Sequence, residues 1–182
     1  FSIRLPICKG GEQPAQAPAA PSPGLAGARI LLVEDEELLR FVVSQALARH
    51  AFVVDAVGSG AEALEQALGN EYQLVITDLR MPGIDGPTLY SRLQPQRPEL
   101  RWMILTGDTM SERSQRFLAR TGLPTLAKPF THDQLLAQVI GQAQMAAFAP
   151  TRVGVIVAGL EVPHTHLHVI PIRTEADLDF AN

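Results

Sequence analysis

Leu74-Val75-Ile76-Thr77-Asp78 is the stretch on which the fold turns, a continuous apolar run that ends in a carboxylate. A strand apolar at successive positions is covered on both faces, the condition of a central strand in a parallel sheet. Ile30-Leu31-Leu32-Val33 and Met103-Ile104-Leu105 are runs of the same kind on either side of it in the chain. Phe52-Val53-Val54 and Thr125-Leu126-Ala127 are weaker, the second following Pro124, and belong at sheet edges.

Between these runs apolar residues recur three and four apart, the period of a helix with one buried face. Leu39, Val42, Val43, Ala46 and Leu47 make one such face, and Leu136, Val139, Ile140 and Ala143 another. Ser59 with Glu62, and Thr131 with Gln134, have the capping-box spacing that satisfies free amides in a first turn. Five strand-helix units joined by right-handed crossovers predict an α/β, doubly wound, five-stranded parallel sheet of order 2-1-3-4-5, flavodoxin-like. Ligands of such sheets sit beyond the carboxyl ends of the strands, where the winding reverses, here between the first and third strands.

Composition is consistent with that core. The chain has 182 residues, 46% hydrophobic and 19% charged, the balance of a globular protein with one main domain. Its net charge is −4 and its 15 Lys and Arg are scattered, so no nucleic-acid partner is expected. No apolar run reaches the ~20 residues of a membrane span. The single cysteine, Cys8, fits a reducing compartment, and the expected location is the cytoplasm, including the cytoplasmic part of a membrane-bound sensor.

The strand ends carry the chemistry. The first runs into Glu34-Asp35, the third into Asp78, the fourth into Thr106 and the fifth into Lys128-Pro129, all at one rim. Two carboxylates about 4 Å apart repel by roughly 4 kcal/mol at an effective dielectric near 20, so positive charge must offset them. Magnesium, a hard cation content with one or two carboxylates, retained water and phosphate oxygens, suits the place. A carboxylate beside it can attack phosphorus and become an acyl phosphate, with Lys128 and Thr106 set to contact phosphoryl oxygens. Asp35 as a mere helix N-cap would explain one of these residues and leave the other strand ends unexplained.

Four motifs in order, Leu31-Leu32-Val33-Glu34-Asp35-Glu36, Val75-Ile76-Thr77-Asp78-Leu79-Arg80-Met81-Pro82-Gly83-Ile84-Asp85-Gly86, Ile104-Leu105-Thr106-Gly107 and Lys128-Pro129-Phe130, resemble the receiver domain of response regulators and hybrid histidine kinases. The resemblance covers residues 29–147. It implies two-component phosphorelay signalling in which Asp78 accepts phosphate from a phosphohistidine on a histidine kinase or a histidine phosphotransfer domain. It implies direct magnesium ligation by Asp35 and Asp78, help from Glu34 through water, and a backbone carbonyl ligand from Arg80. Thr106 would be the switching hydroxyl and Lys128 a salt-bridging residue followed by a cis peptide bond to Pro129. Such domains promote their own phosphorylation and dephosphorylation. Many carry an aromatic residue three positions before the lysine, where this chain has Thr125.

Two flanking pieces are read separately. Phe1-Ser2-Ile3-Arg4-Leu5-Pro6, within residues 1–8, resembles the last strand of a histidine-kinase ATP-binding domain, which implies a kinase portion upstream. Residues 9–28, rich in Pro, Ala and Gly, read as a linker. After Pro150, Val153, Val155 and Val157 alternate as a strand, and His164, His166 and His168 recur at period two, predicting a hairpin-like C-terminal segment. Residues 152–182 resemble the end of a histidine-triad domain of nucleotide hydrolases and transferases, with His166 in the nucleophile's place, His164 and His168 flanking it, and Thr165 departing from the usual hydrophobic residue. The histidines are read as an inert remnant, a zinc site, or a nucleotide hydrolase working through His166, the last being the alternative to signalling.

Overall fold

Residues 30–33 are all buried, so the strand containing them lies in the middle of a sheet. In the computed structural model, which describes residues 27–148, 152–158 and 166–172, this is β1 (Arg29–Val33). Chain order continues with α1 (Glu37–Ala48), β2 (Val53–Val57), α2 (Gly60–Gly69), β3 (Leu74–Asp78), α3 (Gly86–Leu93) and β4 (Arg101–Thr106). It ends with α4 (Glu112–Thr121), β5 (Thr125–Ala127), α5 (His132–Phe148), β6 (Arg152–Ala158) and β7 (His166–Ile172). The first five strands form one parallel sheet in the order β2-β1-β3-β4-β5, as the sequence predicts. β6 and β7 pair antiparallel, the expected hairpin-like segment.

Successive strand residues face opposite sides, and the core divides accordingly. Ile30, Leu32, Leu74, Ile76, Met103 and Leu105 pack against Val43 and Leu47 of α1 and Leu135 and Val139 of α5. On the other side Leu31, Val33, Val75 and Trp102 pack against Ala63 and Ala67 of α2 and Leu89 and Leu93 of α3, and Ile104 packs against Phe117 of α4. Burial is complete along β3 and broken along β2 and β5, which confirms those two as edges.

Local chemistry sets the helix starts. The Ser59 hydroxyl accepts from Glu62 N, Asp85 from Thr88 N and Ser111 from Ser114 N. Thr131 and Gln134 make the reciprocal pair of bonds that their spacing predicts. Gly122, with φ +62°, closes α4 in the left-handed conformation.

Two expectations need correction. β2 is Val53–Val57, beginning after the buried Phe52, because its backbone pairs with β1 residue for residue and its Asp55 is satisfied by Arg29 and Tyr72. Val42 does not join the buried face of α1. It is 53% exposed, next to the exposed Leu38 and Phe41, since the helix turns Val43, Ala46 and Leu47 inward and leaves Val42 on the flank. The segments expected to be a kinase remnant (residues 1–8) and, up to residue 26, a linker lie outside the described residues, as does His164. Among the described residues no helix is long and apolar enough to cross a membrane.

Gly86 opens α3 directly over the end of β3, where an added Cβ would overlap the Asp78 carbonyl oxygen. Gly69, at the end of α2, has open space around it. Urea unfolding should therefore show Gly86→Ala destabilised by about 1–3 kcal/mol and Gly69→Ala unchanged or stabilised by about 0.5 kcal/mol. Equal effects would contradict the close approach of α3 to β3.

Candidate functional site

Parallel register brings the acids together. Val33 pairs with Thr77, Asp78 with Leu105, and Thr106 with Ala127, so Glu34, Asp78, Thr106 and Lys128 emerge at adjoining points of the carboxyl edge. Glu34 is 1% exposed, Asp78 8% and Thr106 0%, while Asp35 stands at the solvent side of the group. Ligand oxygens of Glu34, Asp35 and Asp78 all lie within 4.8 Å of one another.

Lys128 spans this group. Its Nζ donates to Glu34 Oε2 at 2.7 Å and to Asp78 Oδ2 at 2.6 Å. The lysine is itself anchored by its backbone N–H, which donates to the Thr106 carbonyl at 2.8 Å, and the Lys128–Pro129 bond is cis as expected. Burial pushes the Glu34 carboxyl above its ordinary range, against the opposing pull of the Lys128 ammonium. Burial alone would lower the Lys128 value, but its hydrogen bonds to Asp78 and Glu34 and their charges outweigh that and raise it.

Three carboxylates and one ammonium leave a formal deficit of two positive charges when all are ionised. The oxygen donor set, with two carboxylates held from inside and Asp35 open to solvent, fits a hard cation that keeps part of its water. Asp35 has no capping role to compete with this. The N-cap of α1 is Glu36, which makes no side-chain cap bond.

Arg80 N donates to Asp78 Oδ1 at 3.1 Å, fixing the carboxylate's second oxygen. Thr106 Oγ1 accepts from Asp108 N at 3.0 Å, which ties this hydroxyl to the loop leading into α4. The expected site residues Glu34, Asp35, Asp78, Arg80, Thr106 and Lys128 are thus collected at one rim. His166 and His168 are on β7, at register positions opposite Ala158 and Ile156 and in a different sheet. Thr125, standing where an aromatic residue is usual, donates its hydroxyl to the Leu123 carbonyl.

Sequence reasoning missed Asp108. Its carboxylate accepts from Ser111 N, Ser111 Oγ and Ser114 Oγ and sits 3.4 Å from Arg80 Nη1. These bonds, Ser111's hydroxyl first, hold its carboxyl down at about 2. The signal was an Asp followed by Ser three and six residues on, a spacing that sets short polar side chains within reach of a helix start. A cleft of about 580 Å³ lies alongside, lined by Arg80, Met81, Asp85, Asp108, Ser111 and Arg113 among others.

The model of the response regulator receiver domain family matches residues 30–140, which includes every residue of the acidic site and ends before the histidines of the tail. Among curated proteins the chain is 35% identical to the sensor kinase CckA of Brucella abortus over 114 residues, 62% of this chain and 12% of the relative. It is 33% identical to the transcriptional regulatory protein HprR of Escherichia coli over 114 residues, 63% of this chain and 51% of the relative. The chain thus spans about half or less of the length of these relatives. Among solved structures it resembles the signal receiver domain of an HD domain-containing protein from Pseudomonas fluorescens, with TM-score 0.62 and 26% identity over 66% of this chain and 97% of that one. It also resembles the response regulator TrrA of Thermotoga maritima, solved in complex with Mg(2+)-BeF, with TM-score 0.57 and 27% identity over 63% and 98% of the two chains.

Removing the ammonium should leave two buried carboxylates facing each other. Lys128→Met is expected to lower metal-free stability at pH 7 by about 3 kcal/mol, read from urea unfolding, and the deficit should narrow as acid neutralises Glu34. In the wild type the folded Lys128 value exceeds the unfolded one, so its contribution is complete below lysine's ordinary value and is lost as pH rises through the folded value. A deficit independent of pH would contradict the ion-pair account.

Proposed function

The chain belongs to the response regulator receiver family and so serves two-component signalling, and on that premise we propose that Asp78 is its phosphoacceptor, working with magnesium. The observation that carries this reading is the Lys128 ammonium lying between Asp78 and Glu34 with Asp35 beside them. A carboxylate oxygen of Asp78 attacks the phosphorus of a phosphohistidine, the P–N bond breaks, and its electron pair returns to the imidazole nitrogen, which takes up a proton. Asp35, Asp78 and the Arg80 carbonyl would hold the magnesium directly and Glu34 through water. Bound there, the ion supplies charge neutralisation for the phosphoryl oxygens.

The chain's own groups do the remainder. Arg80 N keeps one Asp78 oxygen oriented. Lys128 exchanges a carboxylate oxygen for a phosphoryl oxygen as charge develops there. The Thr106 hydroxyl, now held by Asp108 N, turns to the new phosphoryl group and so changes the start of α4. With Thr125 in the aromatic residue's usual place, this Thr106–Asp108 link is the stronger candidate for the output of the switch.

The donor in this reading is a histidine kinase or a histidine phosphotransfer domain, in the cytoplasm. Origin from a hybrid sensor kinase is supported by the likeness of residues 1–8 to the end of a kinase ATP-binding domain and by the similarity to the sensor kinase CckA. The expectation of no nucleic-acid partner rests on the scattered basic residues alone, and HprR is by name a transcriptional regulator. The division into residues 1–8, 9–28, 29–147 and 152–182 is part of the same reading. Histidine-triad chemistry at His166 has only its sequence likeness in support, and a two-stranded ribbon is marginal by itself.

Incubation of the full chain with acetyl phosphate and magnesium should place one phosphoryl group on Asp78, seen as a mass gain that disappears in Asp78→Asn and without magnesium. A gain that survives Asp78→Asn would move the acceptor elsewhere.

A further inference from the structure

Helix α1 begins without a side-chain cap, yet the turn that precedes it carries two of the three clustered acids. That turn is held from below by Arg40, one helical turn on. Its Nη1 donates to the Glu34 carbonyl at 2.6 Å and to the Asp35 carbonyl at 3.2 Å. The peptide unit joining Asp35 to Glu36 is bound at both ends, since its N–H donates to Glu34 Oε1 at 3.4 Å while its C=O accepts from Arg40. With the preceding peptide also held through the Glu34 carbonyl, both peptide planes that meet at the Asp35 Cα are set, and with them the direction of its Cα–Cβ bond.

The guanidinium is itself positioned. It lies against Gly58, where an added Cβ would come within 3.3 Å of Nη1. Glu34 N donates to the carbonyl of Val57, the last residue of β2 and the one before Gly58. The turns after β1 and β2 therefore meet on Arg40, a residue that has donors only and carries a permanent charge.

We infer that Arg40 is a positioning residue for the cation site, orienting Glu34 and Asp35 through their carbonyls without itself touching the metal or the phosphoryl group. The inference rests on the reading of Glu34, Asp35 and Asp78 as magnesium-holding residues. Two effects of Arg40 oppose each other. Its charge repels a nearby cation, and its hydrogen bonds preorganise the ligands, an outer-shell role whose loss typically costs about 10–100-fold in metal affinity. Orientation by two bonds to the very residues that carry the acids should outweigh that repulsion, because the cation would meet water on the exposed Asp35 side of the group, where charge is screened.

Magnesium titration of the full chain by calorimetry separates the two effects. Arg40→Met should bind magnesium about tenfold more weakly than wild type, with Arg40→Lys in between because an ammonium can regain part of the carbonyl contact. Phosphorylation by acetyl phosphate at saturating magnesium should keep most of its maximal rate, the loss falling on the magnesium concentration required. Binding by Arg40→Met as tight as wild type, or tighter, overturns the inference, as does Arg40→Lys binding no more tightly than Arg40→Met. If Arg40→Met gives no cooperative metal-free melt, Arg40→Lys decides: weaker binding than wild type supports the inference, and equal or tighter binding overturns it. Wild type that binds magnesium and loses it in Asp35→Asn preserves the site assignment whatever Arg40 does, whereas wild type that binds none overturns both.

Discussion

The Lys128 ammonium between Glu34 and Asp78 is the contact on which the site depends. Without positive charge at that point, three carboxylates within 4.8 Å of one another would have to be held at a rim where two are almost out of contact with water. The lysine reaches them because β5 ends where it does, its backbone N–H bound to the Thr106 carbonyl at the end of β4. A strand of three residues at the sheet edge thereby fixes the charge balance of a site whose acids come from two other strands.

The same arrangement suits the switch proposed for the site. Lys128 holds the acids with one set of bonds, and under the proposed role of Asp78 those bonds would be redistributed as a phosphoryl group adds negative charge there. Thr106 is fully buried and has its hydroxyl bound to Asp108 N, so a movement of that hydroxyl is felt at once in the loop ahead of α4. Asp108 in turn holds Ser111 and Ser114, the N-cap and first turn of α4, and reaches Arg80 just past Asp78. The acid site and the start of α4 are thus joined by short polar contacts across two loops.

The fold was largely legible from the chain because its signals are local. Consecutive apolar residues in β1, β3 and β4 mark central strands, and the capping pairs Ser59–Glu62 and Thr131–Gln134 form the bonds that their spacing allows. Errors fell where locality fails. β2 is longer than its apolar run because pairing with β1 extends it, and Val42 sits at the flank of a helix whose period alone would have admitted it to the core. The acids, Thr106 and Lys128 could be read in advance because each lies at or just past the end of a strand, and a parallel sheet aligns strand ends. Arg40 could not, because its importance lies in what it touches after the turns have formed, and the serine spacing after Asp108 signals its local bonds but not its contact with Arg80.

The sequence by itself determined the order of strands and helices and the residue types at each strand end, since hydrophobic period and capping chemistry act within a few residues of one another. Tertiary structure alone decided that Lys128, 94 positions from Glu34 in the chain, lies 2.7 Å from its carboxylate, and that Arg40 holds the turn between the two acids and α1. Distances of that kind depend on strand register and on how neighbouring turns pack, which no local pattern of residues encodes.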